Sequence, residues 1–404
     1  MKVVVIGAGP SGLICGINAS KNGHDVTILE KNEKAGKKIY ITGKGRCNVT
    51  NNCDVNEFMN NVVRNNRFLF SAINAFKPID TINYFEERGV PLVTERGNRV
   101  FPKSYKASDI TRVLLNECEK NKVKIYYHTN IYKINKNSKN KYVISYNNNL
   151  SIEADKLVVA TGGLSYPTTG STGDGYKIAK EFGHTIVNTY PSLCYLRVSD
   201  KVSYDADGLT LKNVSLHAYN DKVNYSFEGE MNFSKGIIDG PIVLKLSSLI
   251  QEEKVLRLFL DLKIGLSKEE LDARLVRDFS QNPNLSLKEE LSKLLPIQMI
   301  KDFLIRIKID GSSKLNSIRK EQREKIVSYL KRYDLDYLGI GDYNRAIVTR
   351  GGISIKEINP KTFESKIVPN LYFVGEVLDV DAFTGGFNMQ IALSTGYCCG
   401  KHMK

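Results

Sequence analysis

No stretch of this 404-residue chain approaches the ~18–20 consecutive apolar residues of a membrane span. The apolar run at the N-terminus is short and broken by glycines, unlike a signal-peptide core. Seven cysteines, an odd number without regular spacing, do not suggest a disulfide framework, and the expected location is the cytoplasm. Histidine is scarce as well: His24, His128, His184, His217 and His402 are dispersed without metal-ligand spacing, and no metal site is expected. Low hydrophobic content, the mark of disorder, is also missing. At 42% hydrophobic and 25% charged residues the composition is that of a globular protein with room for two or three domains.

Acid is in short supply relative to base, leaving a net charge of +14, which raises the question of nucleic acid. The lysines are scattered among acids and asparagines, as in "KNEKAGKK", "NKNSKNKY" and "RKEQREK", and no aromatic-and-basic stripe or zinc-finger spacing is expected to accompany them. That pattern favours a solvated lysine-rich surface over a nucleic-acid footprint, one that also attracts anionic cofactors or substrates. A small-molecule substrate is the expected partner.

What is present begins at once. "VVVIGAGPSGL" (residues 3–13) runs an apolar strand, Lys2–Ile6, into three spaced glycines and a helix over Ser11–Asn22; "HDVTILEKN" supplies a second strand ending at Glu30. Gly7 permits the tight turn, Gly9 lets backbone approach a pyrophosphate, and Gly12 lets the helix pack on the strand. The phosphate then faces the free N–H groups of the helix start. Glu30, eighteen residues beyond Gly12, stands where a carboxylate accepts ribose hydroxyls and would repel a 2′-phosphate. FAD and NAD both satisfy this pattern.

Three further stretches bear on the cofactor. "GKKIYITGKGRCNVTN" (36–51) is a glycine-rich basic loop suited to wrapping a pyrophosphate and reaching a flavin ring. "DKLVVATGG" (155–163) is a strand ending in small residues. It leads to Thr172-Gly173-Asp174-Gly175, where Asp174 is expected to cap a helix. "LYFVGEVLDVDAFTGGFNMQIALSTGYCCGK" (371–401) holds a strand over Leu371–Val374, a turn at Gly375 and a glycine-initiated helix. That helix start, aimed at the pyrimidine edge of a flavin, would favour its anionic reduced form.

These motifs resemble those of the two-dinucleotide-binding-domain flavoproteins, a group that includes fumarate reductases and ketosteroid dehydrogenases. More narrowly, "GKGRCNVTN", "FPKSYKASDI", "GGISIKEINPKTFESKIVPNLYFVGEVLDVD" and "GGFNMQ" resemble the flavoprotein family containing aminoacetone oxidases and the bile-acid Δ4,6-reductase. The resemblance implies FAD, with Gly7, Gly9, Gly12, Glu30, Lys38, Arg46, Asn48, Gly162, Gly375, Glu376 and Asn388 in or near its site. The same expectation takes in Pro10, Ser11, Lys31, Gly43, Gly45, Cys47, Ile131, Ala160 and Thr161. Toward the C-terminus it takes in Asp379, Gly386, Phe387 and Met389. Ala382 stands where relatives often carry glycine. The region matching the covalent histidine of fumarate reductases has no histidine, so non-covalent FAD is expected.

The expected fold is α/β: a Rossmann-like FAD-binding domain interrupted by a β-barrel-like insert and a small helical subdomain. The expected divisions are residues 1–189, 190–262, 263–343 and 344–404. Short alternating runs, including "VLRLFLDLKI" with Leu256, Leu258, Leu260 and Leu262 on one face, predict the insert. Asn220-Asp221 predicts a hairpin turn; Ser267 with Glu270 and Ser286 with Glu289 predict capped helices. The insert is expected to roof the flavin.

The expected reaction is reduction of an activated, enone-like C=C bond by hydride from flavin N5, with NAD(P)H as a transient electron donor that has no glycine-triplet domain of its own. The alternatives are an oxygen-using amine oxidase and a flavin-binding regulatory or RNA-binding protein. Arg350, beside Gly351-Gly352, is the candidate for holding a carboxylate or polarising a carbonyl, and Phe383 for lining the substrate pocket. Cys47 lacks a resolving partner at Cys-x-x-Cys spacing.

Overall fold

A computed structural model describes residues 1–250 and 256–404. The chain divides into two compact units, one formed by Met1–Ser192 with Tyr343–Lys404 and the other by Leu193–Asp342.

The first unit is built on a five-stranded parallel sheet in the order Leu371–Phe373, Lys156–Val159, Lys2–Ile6, Asp25–Leu29, Lys124–Tyr126. Its central strands read as continuous apolar runs because both faces are covered, and Val3, Val4, Val5, Leu157, Val158 and Val159 are buried. The helix Pro10–Lys21 covers one face and packs on the last helix, Phe387–His402. Small residues make that approach possible: a Cβ at Gly396 would lie 2.2 Å from the Ser11 carbonyl, and one at Gly400 2.4 Å from that of Cys15. The small-residue composition of the C-terminal helix is therefore a packing requirement.

Four smaller sheets flank this core, one of them the pairing of Val62–Arg64 with Asp381–Ala382. The hairpins of Ile131–Lys136, Tyr142–Tyr146 and Leu150–Ala154 form a second, and Ile186–Ser192 pairs with Val348–Ile353 in a third. In the fourth, Thr50–Asn51 and Leu92–Glu95 border Arg99–Pro102.

The second unit contains a seven-stranded antiparallel sheet, in the order Tyr333–Leu335, Arg257–Asp261, Thr210–Tyr219, Asn224–Ser234, Ile237–Asp239, Leu196–Val198, Tyr337–Ile340. Its two outermost strands are separated in sequence only by Asp336, so the sheet curls back on itself as a barrel does. The hairpin turn falls at Asn220, whose N–H donates to the Val223 carbonyl at 3.0 Å. Leu256, Leu258, Leu260 and Leu262 are all buried; Val255, where that run begins, lies outside the described residues. Both capping boxes form, opening the helices Lys268–Gln281 and Leu287–Leu291. Among the described residues no helix is long and apolar enough to cross a membrane, and no side-chain group could hold a metal ion.

Candidate functional site

A cleft of about 570 Å³ opens in the first unit at the C-terminal ends of the parallel strands, where open α/β sheets bind ligands. Gly7, Gly9, Pro10 and Ser11 form one wall, and Ala160, Thr161 and Gly162 the neighbouring one. Gly7 has φ of 102°, and a Cβ there would meet the Ala160 carbonyl at 2.6 Å. Gly12 does not face the cleft; a Cβ on it would lie 2.0 Å from the Gly7 carbonyl oxygen. At Gly9, by contrast, a Cβ would meet nothing within 4 Å. Gly9 also caps the helix Pro10–Lys21 without a side-chain hydrogen bond, so the orphan N–H groups of that helix start border open space.

Glu30 lines the cleft at the end of its strand. Its Oε2 accepts the Ala8 N–H at 2.8 Å and its Oε1 accepts from the Asn32 backbone and side chain at 2.9 and 2.7 Å. A carboxylate has about four lone-pair sites, so these donors leave capacity for another. Lys31 donates to Asp174 at 2.7 Å. This corrects the expectation for Asp174. Gly173, with φ of 78°, is the N-cap, and Asp174 is the first helical residue with no capping hydrogen bond. A cation 143 residues away in sequence took the carboxylate that local pattern assigned to backbone.

Lys38 and Glu376 meet across the cleft at 2.8 Å. Ser165 donates to Glu376 at 2.6 Å, and so does the Thr349 N–H at 2.8 Å. Burial pushes the Glu376 carboxyl up, but Lys38 and these donors outweigh it and hold it below the usual carboxylate range. Asn388 and Met389, on the first turn of the last helix, complete this wall. Asn388 donates to the Ala382 carbonyl at 2.7 Å and accepts its N–H at 3.0 Å, fixing the preceding loop. Gly375 packs against Ser11, and Phe387 is buried edge-on to Phe58, 5.4 Å between ring centroids. Asn48, with its amide oriented to satisfy its neighbours, accepts the Gly386 N–H at 2.9 Å. Ile131 contributes from residues 129–134, a lysine- and tyrosine-containing segment without a glycine signature.

Other expected residues do not line the cleft. Gly43 packs on Phe101, where a Cβ would approach to 3.0 Å. Gly45 has no such neighbour closer than the Tyr40 carbonyl, at 3.8 Å. Arg46 turns to the Phe101 ring, 4.4 Å from its centroid, and to Glu95 at 3.0 Å. Cys47 is buried, and burial pushes its thiol up to about 12, so it is not a thiolate at neutral pH.

Beside the cleft lies a half-buried charge cluster. Arg64 holds Asp381 at 2.7 and 2.9 Å, and Asn65 donates to Asp379 Oδ2 at 3.0 Å. The Asp379 Oδ1 is buried without a hydrogen-bond partner among the described residues. Burial raises both carboxyls, against the pull of Arg64 and Arg350. Arg350 sits over the Tyr190 ring, 5.5 Å from its centroid, and its charge acts on both acids. Phe383 is half-buried, tied by its N–H to the Asn61 carbonyl at 2.9 Å. Arg64 and Asn65 carried no motif, and only their pairing across the fold marks them.

The family model described as "HI0933-like protein Rossmann domain" matches residues 1–402. The chain belongs to that family. It is an FAD-dependent oxidoreductase. It is 31% identical over 401 residues to a protein of Haemophilus influenzae named ribosomal RNA dihydrouridine synthase, covering 98% of this chain and 96% of that one. It is 28% identical over 407 residues to the 3-dehydro-bile acid delta(4,6)-reductase of Clostridium scindens, covering 99% and 98%. Among solved structures it is similar to a 3-ketosteroid-delta4-(5alpha)-dehydrogenase from Rhodococcus jostii, with 14% identity, a TM-score of 0.50, and coverage of 99% and 96%; that likeness concerns the fold.

Proposed function

We propose that this oxidoreductase reduces a C=C bond conjugated to a carbonyl, and that the bond is the C5=C6 bond of a uracil ring carried in RNA. The observation that carries the reading is the nearly full-length similarity to a ribosomal RNA dihydrouridine synthase. The product of that named activity is uracil reduced at this bond. The net charge of +14 supports a polyanionic substrate, the role that the scatter of the lysines argued against.

The cleft fits FAD. The uncapped helix start at Gly9 suits a pyrophosphate, the spare capacity of Glu30 a ribose hydroxyl, and the start of the Phe387–His402 helix the pyrimidine edge of a flavin. FAD, when bound, supplies the hydride-transfer chemistry, and NAD(P)H is the proposed source of the electrons. Arg350 holds the substrate carbonyl and stabilises the negative charge that grows there as hydride adds at the β-carbon. Asp379, with a free oxygen and a raised carboxyl, delivers the proton to the α-carbon. Phe383 stacks on the flat ring.

A second reading, reduction of a steroid-like enone, is favoured by the similarity to the bile-acid reductase. The test is anaerobic reduction of the FAD-loaded protein by NADH or NADPH, followed by unmodified ribosomal RNA transcribed in vitro, a 3-oxo-4,6-dienoic bile acid, or oxygen. Flavin reoxidation by RNA, with uridine gaining two hydrogens by nucleoside mass spectrometry, supports the proposal. Reoxidation by the bile acid alone favours the second reading, and by oxygen with an amine donor the oxidase.

A further inference from the structure

The loop at residues 37–46 and the hairpin at 96–106 each carry four cations and no acid. They lie fifty residues apart in sequence, yet Arg46 joins them. Its guanidinium lies 4.4 Å from the centroid of Phe101 and 5.3 Å from that of Tyr105. Glu95 accepts from both Arg46 and the Tyr105 hydroxyl at 3.0 Å. Glu95 also pairs with Arg99, while Glu33 and Glu376 take Lys37 and Lys38. Asp109, on the next helix, is taken by Ser104 and Arg112. Lys44, Arg96, Lys103 and Lys106 are exposed and form no ion pair among the described residues. Tyr105 stands among them with 42% of its surface exposed.

This face adjoins the cleft. Thr42, in the same loop, lines it together with Lys37 and Lys38, and Asn48 and Asn51, which follow the loop, bond to Gly386 and Gly385 at the start of the last helix. A basic, aromatic-bearing surface beside the cleft has the composition that single-stranded RNA requires: cations for the backbone and a ring for a base. Residues 96–106 already interleave four cations with Phe101 and Tyr105 in the linear sequence, and the fold sets the basic loop of residues 37–46 beside them through Arg46.

We infer that Lys44, Arg96, Lys103, Lys106 and Tyr105 form the docking surface for the RNA strand flanking the reduced base. The inference rests on the reading of RNA as substrate, and it names where the phosphates sit. The test compares three FAD-loaded proteins: wild type, the triple variant Arg96→Ala, Lys103→Ala, Lys106→Ala, and a charge-matched control, Lys268→Ala, Lys288→Ala, Lys301→Ala. The probe is a fluorescent uridine-containing single-stranded RNA, titrated across a salt series, with flavin content confirming fold.

The triple variant should bind more weakly, with the slope of log affinity against log salt reduced by about two for three lost phosphate contacts, while the control keeps the wild-type slope. Tyr105→Ala should weaken binding about five-fold or more without changing the slope. If the triple variant and the control behave alike, the docking surface is wrong, although wild-type reduction of uridine in RNA would leave the substrate reading standing. If wild type neither binds the RNA nor reduces its uridines, both fall.

Discussion

Asp381 and Arg64, 317 residues apart in sequence, meet at 2.7 and 2.9 Å, with the acid's side chain only 1% exposed. This pair closes the antiparallel contact between Val62–Arg64 and Asp381–Ala382 and anchors the loop leading to the last helix. Removing the cation strands a buried carboxylate. Arg64→Leu is therefore expected to destabilise the protein by about 3 kcal/mol, read from denaturant melts. Adding Asp381→Asn should recover part of the loss, and a single variant as stable as wild type would refute this account.

Gly9 and Gly12 separate the cofactor's demands from those of the fold. Gly12→Ala drives a Cβ into the Gly7 carbonyl oxygen at 2.0 Å, whereas the same change at Gly9 touches no protein atom within 4 Å. Gly12→Ala should lower stability in apo and loaded protein alike. Gly9→Ala should melt like wild type without FAD, yet bind FAD at least about ten-fold more weakly, as expected when a charged hydrogen-bonding approach is blocked. FAD titration of the apoproteins distinguishes the two, and equal affinity of wild type and Gly9→Ala would remove the pyrophosphate from this position.

His184 gives a pH dependence. Ser365 Oγ lies 2.9 Å from His184 Nε2 and accepts the Ile367 and Val368 N–H groups at 3.0 and 2.8 Å, so it donates its own proton to a neutral imidazole. Burial lowers the His184 pKa, and Glu357, 3.2 Å from Nδ1, only partly opposes it. A histidine with its folded pKa depressed contributes stability that is complete above its unfolded value of about 6.5. That contribution is lost as pH falls through the folded value. The stability gap between wild type and His184→Phe should narrow as pH falls below about 6.5. A constant gap would show that the imidazole is not held neutral.

Arg350 and Phe383 are expected to matter for turnover and not for flavin retention. Arg350→Ala removes a cation aimed at developing charge and should cost about 10²–10³-fold in kcat. Phe383→Ala should raise KM about two- to ten-fold through lost stacking. Steady-state kinetics beside the flavin-to-protein absorbance ratio tests both. Loss of FAD from both variants, or full turnover by both, would move the pocket elsewhere.

The sequence by itself determined the elements whose signals are local. The strand, glycine turn, helix and acid of residues 2–30 depend on neighbours within one βαβ unit, and the caps at Ser267 and Ser286 depend on residues three positions on. Both are set by backbone sterics and short-range hydrogen bonds. Tertiary structure decided the rest. Asp174 reads as a cap until Lys31 reaches it, and nothing local to Arg46 foretells that Phe101 and Tyr105 pack against it. Arg64 has no signature until Asp381 is buried beside it. In each case a charge chose a partner far away in sequence, and which partners come within reach is a property of the packed fold; for Asp381, whose side chain is 1% exposed, burial also makes an unpaired ion costly.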